Sequence, residues 1–74
     1  MEFPVIDVER TGRNLKELAS GKGYTAREIG QELGIAQKST VCKWFRGDVL
    51  PGIDNLVALS RLLEVPIDDI IVVS

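Results

Sequence analysis

Apolar residues recur at helical spacing in five stretches of the chain, and each stretch predicts a helix. The first helix is expected from Asp7, which can cap it, to about Ser20, and Gly12 weakens it. Residues 1–6 precede it as an extended lead-in. The apolar face of this helix is formed by Val8, Leu15, Leu18 and Ala19.

The second helix has the clearest start signal in the chain. Thr25 and Glu28 match a capping box, in which the Thr25 hydroxyl accepts from the Glu28 amide and the Glu28 carboxylate reaches back to the Thr25 N–H. Gly34 ends the helix as a left-handed cap, with Ile35 folding back on it. Gly30 costs about 1 kcal/mol relative to Ala in a helix interior. We expect it to be tolerated because another helix crosses closely there.

A third helix is predicted over residues 37–46, and its two faces differ chemically. At about 100° per residue, Val41, Trp44 and Phe45 fall on one apolar side. The apolar side should pack on the core, which makes Trp44 a core residue, while the polar side meets a partner. That polar side carries Ser39, Cys42, Lys43 and Arg46, with Lys38 at its border.

Two further helices complete the pattern. Residues 47–52 are interpreted as a turn, and a fourth helix follows over residues 53–63, with Asp54 suited to its N-terminal dipole. Pro66 opens a short fifth helix. The whole chain, residues 1–74, is therefore predicted to be one all-α domain. The buried faces are predicted to be Ile53, Leu56, Leu59 and Leu63 in the fourth helix, and Ile67, Ile70 and Ile71 in the fifth.

The composition fits a small domain with a hydrophobic core. Of the 74 residues 45% are apolar, but no run reaches the roughly 18 apolar residues of a transmembrane helix. The N-terminus lacks the basic and apolar regions of a signal peptide. A single cysteine, Cys42, and no histidine leave neither an internal disulfide nor a plausible zinc site. We therefore expect a cytoplasmic protein without metal, cofactor or membrane partner.

The net charge of −2 counts against a nucleic-acid binder, but the distribution of charge weakens that objection. Residues 36–47 contain Lys38, Lys43 and Arg46 and no carboxylate. Salt screens the interaction between exposed charges that lie more than about 10 Å apart. The local charge of the third helix therefore matters more for DNA contact than the net charge of the chain. A tight glycine turn that leads into a basic helix is how proteins place a helix in a DNA groove.

Over residues 12–71 the chain resembles the phage-repressor-like, Xre-type helix-turn-helix domains. The segments that carry the resemblance are GRNLKELASGKGYT, REIGQELGI, STVCKWFRG and LPGIDNLVALSRLLEVPIDDII. The combination of K-W-x-R-G, L-P-x-x-D-N-L and V-P-x-D-x-I is specific, whereas any one of these motifs alone would be weak. The resemblance implies a five-helix, lambda-repressor-like fold whose helix-turn-helix consists of helices 2 and 3. It also implies a DNA-binding transcriptional regulator of repressor type.

In that family the third helix lies in the major groove of double-stranded DNA. By position, the resemblance implies that the base-reading residues are Gln37, Lys38, Ser39, Cys42 and Lys43. The phosphate-contacting residues that it implies are Thr25, Arg27, Arg46 and Gly47. These proteins commonly read two half-sites as dimers, which makes a homodimer a candidate assembly.

Three features depart from the family pattern. Ala26 replaces the glutamine that usually follows the capping threonine, which removes a phosphate-contacting side chain. The turn around Gln37 and Lys38 is one residue longer than the commonest spacing, which leaves the register of the reading residues open by one position. Ala19 and Phe45 replace an Arg–Glu pair that joins helices 1 and 3 in many members. An apolar pair in place of a buried ion pair need not cost stability.

A second class of function stays open, namely a protein-interaction module of the same fold with little DNA affinity of its own. Such a module would serve as an antitoxin or a repressor partner, and the pI of about 5.0 and the apolar residues 70–73 favour it. Lys38, Lys43 and Arg46 could then be an ordinary solvated face. An enzyme is not expected because the chain has no histidine, no activated nucleophile and no glycine-rich phosphate loop after a strand.

Overall fold

The computed structural model describes residues 3–74, the side chain of Lys38 excepted, and this part of the chain forms five α-helices. Each predicted helix is present with ends that agree within one or two residues, so the all-α prediction is confirmed. Within the described range, none of these helices has the length and hydropathy that a membrane span requires. The helices are α1 (Val8–Gly21), α2 (Ala26–Leu33), α3 (Lys38–Arg46), α4 (Ile53–Leu63) and α5 (Ile67–Ile70).

Side-chain caps and left-handed caps fix the helix ends that the sequence marked. Asp7 caps α1, with its carboxylate accepting from the Arg10 amide at 3.0 Å. The predicted capping box of α2 is present: the Thr25 hydroxyl accepts from the Glu28 amide at 3.2 Å, and the Glu28 carboxylate accepts from the Thr25 N–H at 3.1 Å. Gly34 then ends α2 with a φ of 71°. These caps satisfy backbone groups that a helix leaves unpaired at its ends.

The core lies where the helices meet. Helix α3 packs against α1 and α2, and α5 packs against α1 and α4. Burying a large aliphatic side chain contributes about 1.5–3 kcal/mol, so the core holds α3 in place through its apolar face. Trp44 is only 3% exposed, which confirms its predicted place in the core. The buried apolar residues are Leu15, Ala19, Ile29, Val41, Trp44, Leu59, Leu63 and Ile70.

Two glycines let α1 and the end of α3 approach each other closely. A Cβ atom at Gly12 would overlap the Trp44 carbonyl oxygen and lie 2.9 Å from the Gly47 nitrogen. Gly47 has a φ of 77°, and a Cβ atom there would lie 2.6 Å from the Cα of Glu9. The prediction that a close helix crossing explains Gly30 is wrong. The nearest atom to a Cβ at Gly30 would be 3.6 Å away, which is ordinary contact.

The prediction that Ile53 belongs to the buried face of α4 is also wrong. Ile53 is 80% exposed, and Val57, one turn further on, is 42% exposed. Leu59 and Leu63 are fully buried and define the inward direction of α4. Ile53 lies about 120° around the helix from Leu59, so its spacing to Leu56 alone was a misleading guide.

The two ends of the described chain are tied to each other. Ile6 and Val73 form an isolated antiparallel β-bridge. The Asp7 N–H donates to the Val72 carbonyl at 2.8 Å, and the Ser74 N–H donates to the Val5 carbonyl at 2.9 Å. Residues 5 and 6 of the extended lead-in that the sequence predicted thus pair with the C-terminal segment, while residues 1–2 lie outside the described range.

Two polar side chains of α1 also hold the C-terminal segment in place. Thr11 is 1% exposed, and its hydroxyl accepts from the Val72 N–H at 2.9 Å and donates to the Val72 carbonyl at 3.3 Å. Asn14 donates through its amide to the carbonyls of Asp69 and Ile70, at 2.6 Å and 3.0 Å. The apolar stretch 70–73, interpreted from the sequence as a partner surface, is therefore largely used within the chain itself.

Candidate nucleic-acid interface

Helices α2 and α3 are joined by a four-residue turn, residues 34–37. Gly34 adopts a left-handed backbone, and the Ile35 N–H donates back to the Gly30 carbonyl at 2.8 Å, which closes the end of α2. Ile29 of α2 and Val41 of α3 are both fully buried in the common core. A short glycine-containing turn between two packed helices is the arrangement of a helix-turn-helix.

The two faces of α3 divide as its sequence predicts. Val41 and Trp44 are buried on one side, while Ser39, Lys43 and Arg46 are exposed on the other. This division leaves a polar helix face open to a partner and anchors the opposite face in the core.

The remaining predicted base-reading residues lie at the start and at the border of that face. Gln37 is the exposed N-cap residue of α3 and makes no side-chain capping hydrogen bond, so its amide is free of a capping role. Cys42 is half-buried at the border of the exposed face. Lys38 begins α3, but its side chain lies outside the described part of the structure.

The positive charge of α3 has two consistent explanations. Lys43 and Arg46 lie in its last turn, and its first turn contains no acid. Cations near a helix C-terminus are stabilised by the helix dipole by about 0.3–1 kcal/mol each, so helix stability accounts for them as well as phosphate binding does. Their position therefore fits DNA contact without demanding it.

Two of the predicted phosphate-contacting residues lie at the start of α2. The N–H of Thr25 is already used by the Glu28 carboxylate, but the proton of the Thr25 hydroxyl remains able to donate, because that oxygen serves only as an acceptor in the capping box. Arg27 is exposed and borders an open depression beside the turn. The other residues that line this depression are Gly30, Gln31, Ile35 and Ala36.

The other two predicted phosphate-contacting residues are held by contacts at the end of α3. The Arg46 Nε donates to the Asp48 Oδ2 at 3.1 Å in an ion pair exposed to solvent. The N–H of Gly47 donates to the Trp44 carbonyl at 3.1 Å, so it is not available to a phosphate. Asp48 was not among the predicted site residues, although it is the first acid after the basic helix and only two positions from Arg46.

The apolar departures from the family pattern are absorbed by the core. Ala19 is fully buried, and Phe45 and Ala26 are half-buried and pack against the core cluster. No buried side-chain nitrogen or oxygen among the described residues lacks a hydrogen-bond partner, so these substitutions leave no polar group stranded.

Comparison with known proteins agrees with this geometry. A model of the helix-turn-helix family matches residues 15–70. A protein of Pyrococcus furiosus, provisionally named an HTH-type transcriptional regulatory protein, is 29% identical over 73 residues. That match covers 89% of this chain but only 23% of the relative, so the chain spans less than a quarter of the length of that protein.

Two solved structures share the fold. The restriction-modification controller protein C.AhdI from Aeromonas hydrophila superposes with a TM-score of 0.77 at 23% identity, covering 86% of this chain and 96% of that one. The DNA-binding domain of BldD superposes with a TM-score of 0.72 at 17% identity, covering 88% and 93%. These likenesses establish the lambda-repressor-like arrangement of helices, and the family match spans most of the chain. The chain therefore belongs to the phage-repressor-like, Xre-type helix-turn-helix family.

Proposed function

We propose that this chain is a sequence-specific DNA-binding transcriptional regulator, of repressor type, that reads the major groove with α3. The observation that carries the proposal is the exposed polar face of α3, opposite the buried Val41 and Trp44. The major groove is about 12 Å wide and admits a helix presented in this way. Membership in the helix-turn-helix family supports the same function.

Base reading is assigned to the start and the exposed face of α3. Lysine side chains donate to the O6 and N7 atoms of guanine, and a glutamine amide matches adenine. Ser39 can contact either kind of base, and Cys42 at the border of the face suits the methyl group of thymine. The proposed reading residues are Gln37, Lys38, Ser39, Cys42 and Lys43.

Phosphate contacts are assigned to the residues on either side of the reading helix. Arg27 and Arg46 supply charge that releases counterions from DNA. Thr25 supplies a hydroxyl donor at the start of α2. Gly47 is assigned to this group through the left-handed turn that it allows directly after Arg46, since its N–H is bonded to the Trp44 carbonyl and its missing side chain makes room for Glu9 of α1.

A second copy of the chain is the partner that we assign to the exposed face of α4. Ile53 is 80% exposed and Val57 is 42% exposed, and neither is needed by the core. Asp54 and Arg61 are exposed on either side of Val57, and neither takes part in the two ion pairs of the described chain. An antiparallel twofold packing of α4 on its copy, centred near Val57, brings Asp54 opposite Arg61 of the second copy. The face is therefore complementary to itself in charge, as a twofold interface must be.

The alternative function is a protein-interaction module of the same fold. The net charge of −2 and the exposed apolar side chains of α4 favour it. The C-terminal stretch 70–73 supports it less than its sequence indicated, since Ile70 is buried and the Val72 backbone is bonded to Thr11. Under either function we take residues 1–74 as one cytoplasmic domain that binds a macromolecule and catalyses no reaction.

Selection from a random duplex library at defined salt, followed by fluorescence anisotropy, tests the proposal. Lys38→Ala and Lys43→Ala should each weaken binding by about 1–3 kcal/mol. Arg13→Ala is the matched control, because it also removes one positive charge but lies on α1, beside the C-terminal segment near Asp69 and Val72. The slope of log K against log salt should reach roughly −3 to −4 for one protomer and double for a dimer.

Two results would contradict the proposal. Unchanged affinity in both lysine variants would refute the assignment of the reading face. Failure of the wild-type protein to bind any selected duplex at about 50 mM salt, where phosphate contacts are strong, would favour the interaction module instead.

A further inference from the structure

Asp48 directly follows the turn residue that ends α3, and its carboxylate holds the guanidinium of Arg46. We infer that Asp48 competes with DNA phosphate for Arg46 and thereby lowers the affinity of the α3 face for DNA. The inference rests on the proposed function, since it names an internal control on the same binding face.

The backbone around Gly47 brings the two side chains together. Gly47 is left-handed, and the N–H of Asp48 donates back to the Lys43 carbonyl at 2.9 Å. This hydrogen bond anchors Asp48 to the last turn of α3, where its Oδ2 lies 3.1 Å from the Arg46 Nε. The backbone of Asp48 is thus fixed at the helix end, within reach of the Arg46 guanidinium.

Helix stability does not account for an acid at this position. The C-terminus of a helix is the negative end of its dipole, so a carboxylate there is unfavourable. Residues 36–47 contain no acid, and Asp48 is the first one beyond them. The ion pair with Arg46 compensates for this unfavourable position of Asp48. Arg46 is also a residue that the family resemblance assigns to phosphate contact.

The pair is open enough for DNA to displace the carboxylate. The Arg46 and Asp48 side chains are 62% and 54% exposed, and ion pairs in water are weak. While the pair is closed, Arg46 adds no net positive charge to the face. Once a phosphate takes over Arg46, the released carboxylate lies beside the DNA and repels it. Both effects reduce affinity, and both disappear when Asp48 loses its charge.

The experiment compares Asp48→Asn and Asp48→Ala with wild type by fluorescence anisotropy. A duplex of arbitrary sequence serves as the probe, because phosphate contact does not depend on sequence. Both variants should bind about twofold to fivefold more tightly, the range expected for loss of an exposed ion pair. Their salt slope should be steeper than that of wild type by up to about 0.9, because in wild type the Asp48 carboxylate offsets part of the charge that Arg46 brings to the phosphate. Asp68→Asn on α5 changes the net charge equally and should leave affinity unchanged.

A second comparison isolates the role of Arg46. In an Arg46→Ala background, Asp48→Asn should change affinity far less than it does in wild type, since the arginine for which the carboxylate competes is gone. Thermal melts of every variant confirm that the changes in binding do not arise from unfolding.

The opposite results would overturn the inference in distinct ways. Weaker binding by Asp48→Ala but not by Asp48→Asn would make Asp48 a positioning residue that orients the guanidinium for phosphate, because asparagine keeps an acceptor oxygen. Unchanged affinity in both variants would refute any role at the DNA face. Absence of binding by the wild type at low salt would refute the proposed function itself, and the inference with it.

Discussion

Gly12 of α1 lies so close to the main-chain carbonyl of Trp44 in α3 that a Cβ atom at Gly12 would overlap that oxygen. The contact brings backbone against backbone at the last turn of α3, the turn that carries Lys43 and Arg46 at its surface. Because backbone atoms cannot move aside as a flexible side chain can, this contact sets the position of the proposed binding face relative to α1.

Gly12→Ala should therefore destabilise the protein by about 1–3 kcal/mol, as overpacking of a tight contact does. The better helix propensity of alanine, worth about 1 kcal/mol, should not compensate. Gly21→Ala in the same helix is the matched control, because a Cβ there meets no atom within 4 Å. Chemical denaturation gives the free energies of unfolding. A Gly12→Ala protein as stable as wild type would contradict the close contact.

Trp44→Ala should cost about 3–5 kcal/mol, which is a large part of the stability of a small domain. Trp44 is the chain's one tryptophan, so its fluorescence reports on this site alone. The emission of the folded wild-type protein should be blue-shifted and should move to longer wavelength on unfolding. Emission typical of indole in water from the folded protein, or an unchanged melt in the variant, would count against burial.

Removal of residues 72–74 should lower the melting temperature. It deletes the partners of the buried Thr11 hydroxyl and of the Asp7 N–H. A buried hydroxyl without a partner costs about 1–3 kcal/mol. Val73→Ala, which keeps every one of these backbone bonds, should melt close to wild type. A truncated chain that melts with the full-length protein would show that the C-terminal segment is not structural.

Glu64→Gly should melt at a higher temperature than Glu64→Ala. Glu64 ends α4 with a φ of 58°, a left-handed conformation in which glycine is unstrained and alanine is not. Both variants lose the hydrogen bond with Lys22, which holds the pKa of Glu64 below its ordinary value of 4.5, so the comparison isolates the backbone. A difference of about 4 °C is expected for a domain of this size. Equal melting temperatures would argue against the left-handed cap.

Exchanging the charges of Asp54 and Arg61 on α4 should change the dimer constant of the chain in a predictable direction. Asp54→Arg should weaken it by placing like charges opposite each other, and the double variant Asp54→Arg, Arg61→Asp should restore it. Val57→Glu should abolish it, whereas Ser20→Glu on the exposed side of α1 should not. Sedimentation equilibrium measures the dimer constant of each variant. A wild-type chain that stays monomeric at high concentration, or a double variant that fails to recover, would remove α4 as the interface.

Local chemistry was sufficient to predict most of the fold. The Thr25–Glu28 capping box involves residues three positions apart, and the two faces of α3 follow from the helical period alone, so both could be derived from the sequence. The exposure of Ile53 and the contact of Gly12 with α3 depend on how helices rotate and pack against each other. Single-sequence periodicity contains no information on either.

The candidate site, too, could be predicted from the sequence only in part. The polar face of α3 followed from its residue pattern, but the pairing of Arg46 with Asp48 requires the left-handed turn at Gly47 that brings the chain back. The bonding of Val72 to Thr11 was equally hidden, since those residues are 61 positions apart. Contacts across that distance cannot be derived from spacing along the chain.

The same separation has a consequence for synthesis of the protein on the ribosome. Helices α2 and α3 are neighbours in the sequence, so the contacts between them need only a short stretch of chain. The side chain of Thr11 in α1 cannot form its hydrogen bonds until Val72, 61 residues later, has left the exit tunnel. A nascent chain that stalls before that point lacks the contacts that fasten α1 to the C-terminal segment. Stable folding therefore has to wait until Val72 has been synthesised and has emerged, and a chain interrupted before that point is exposed to proteolysis.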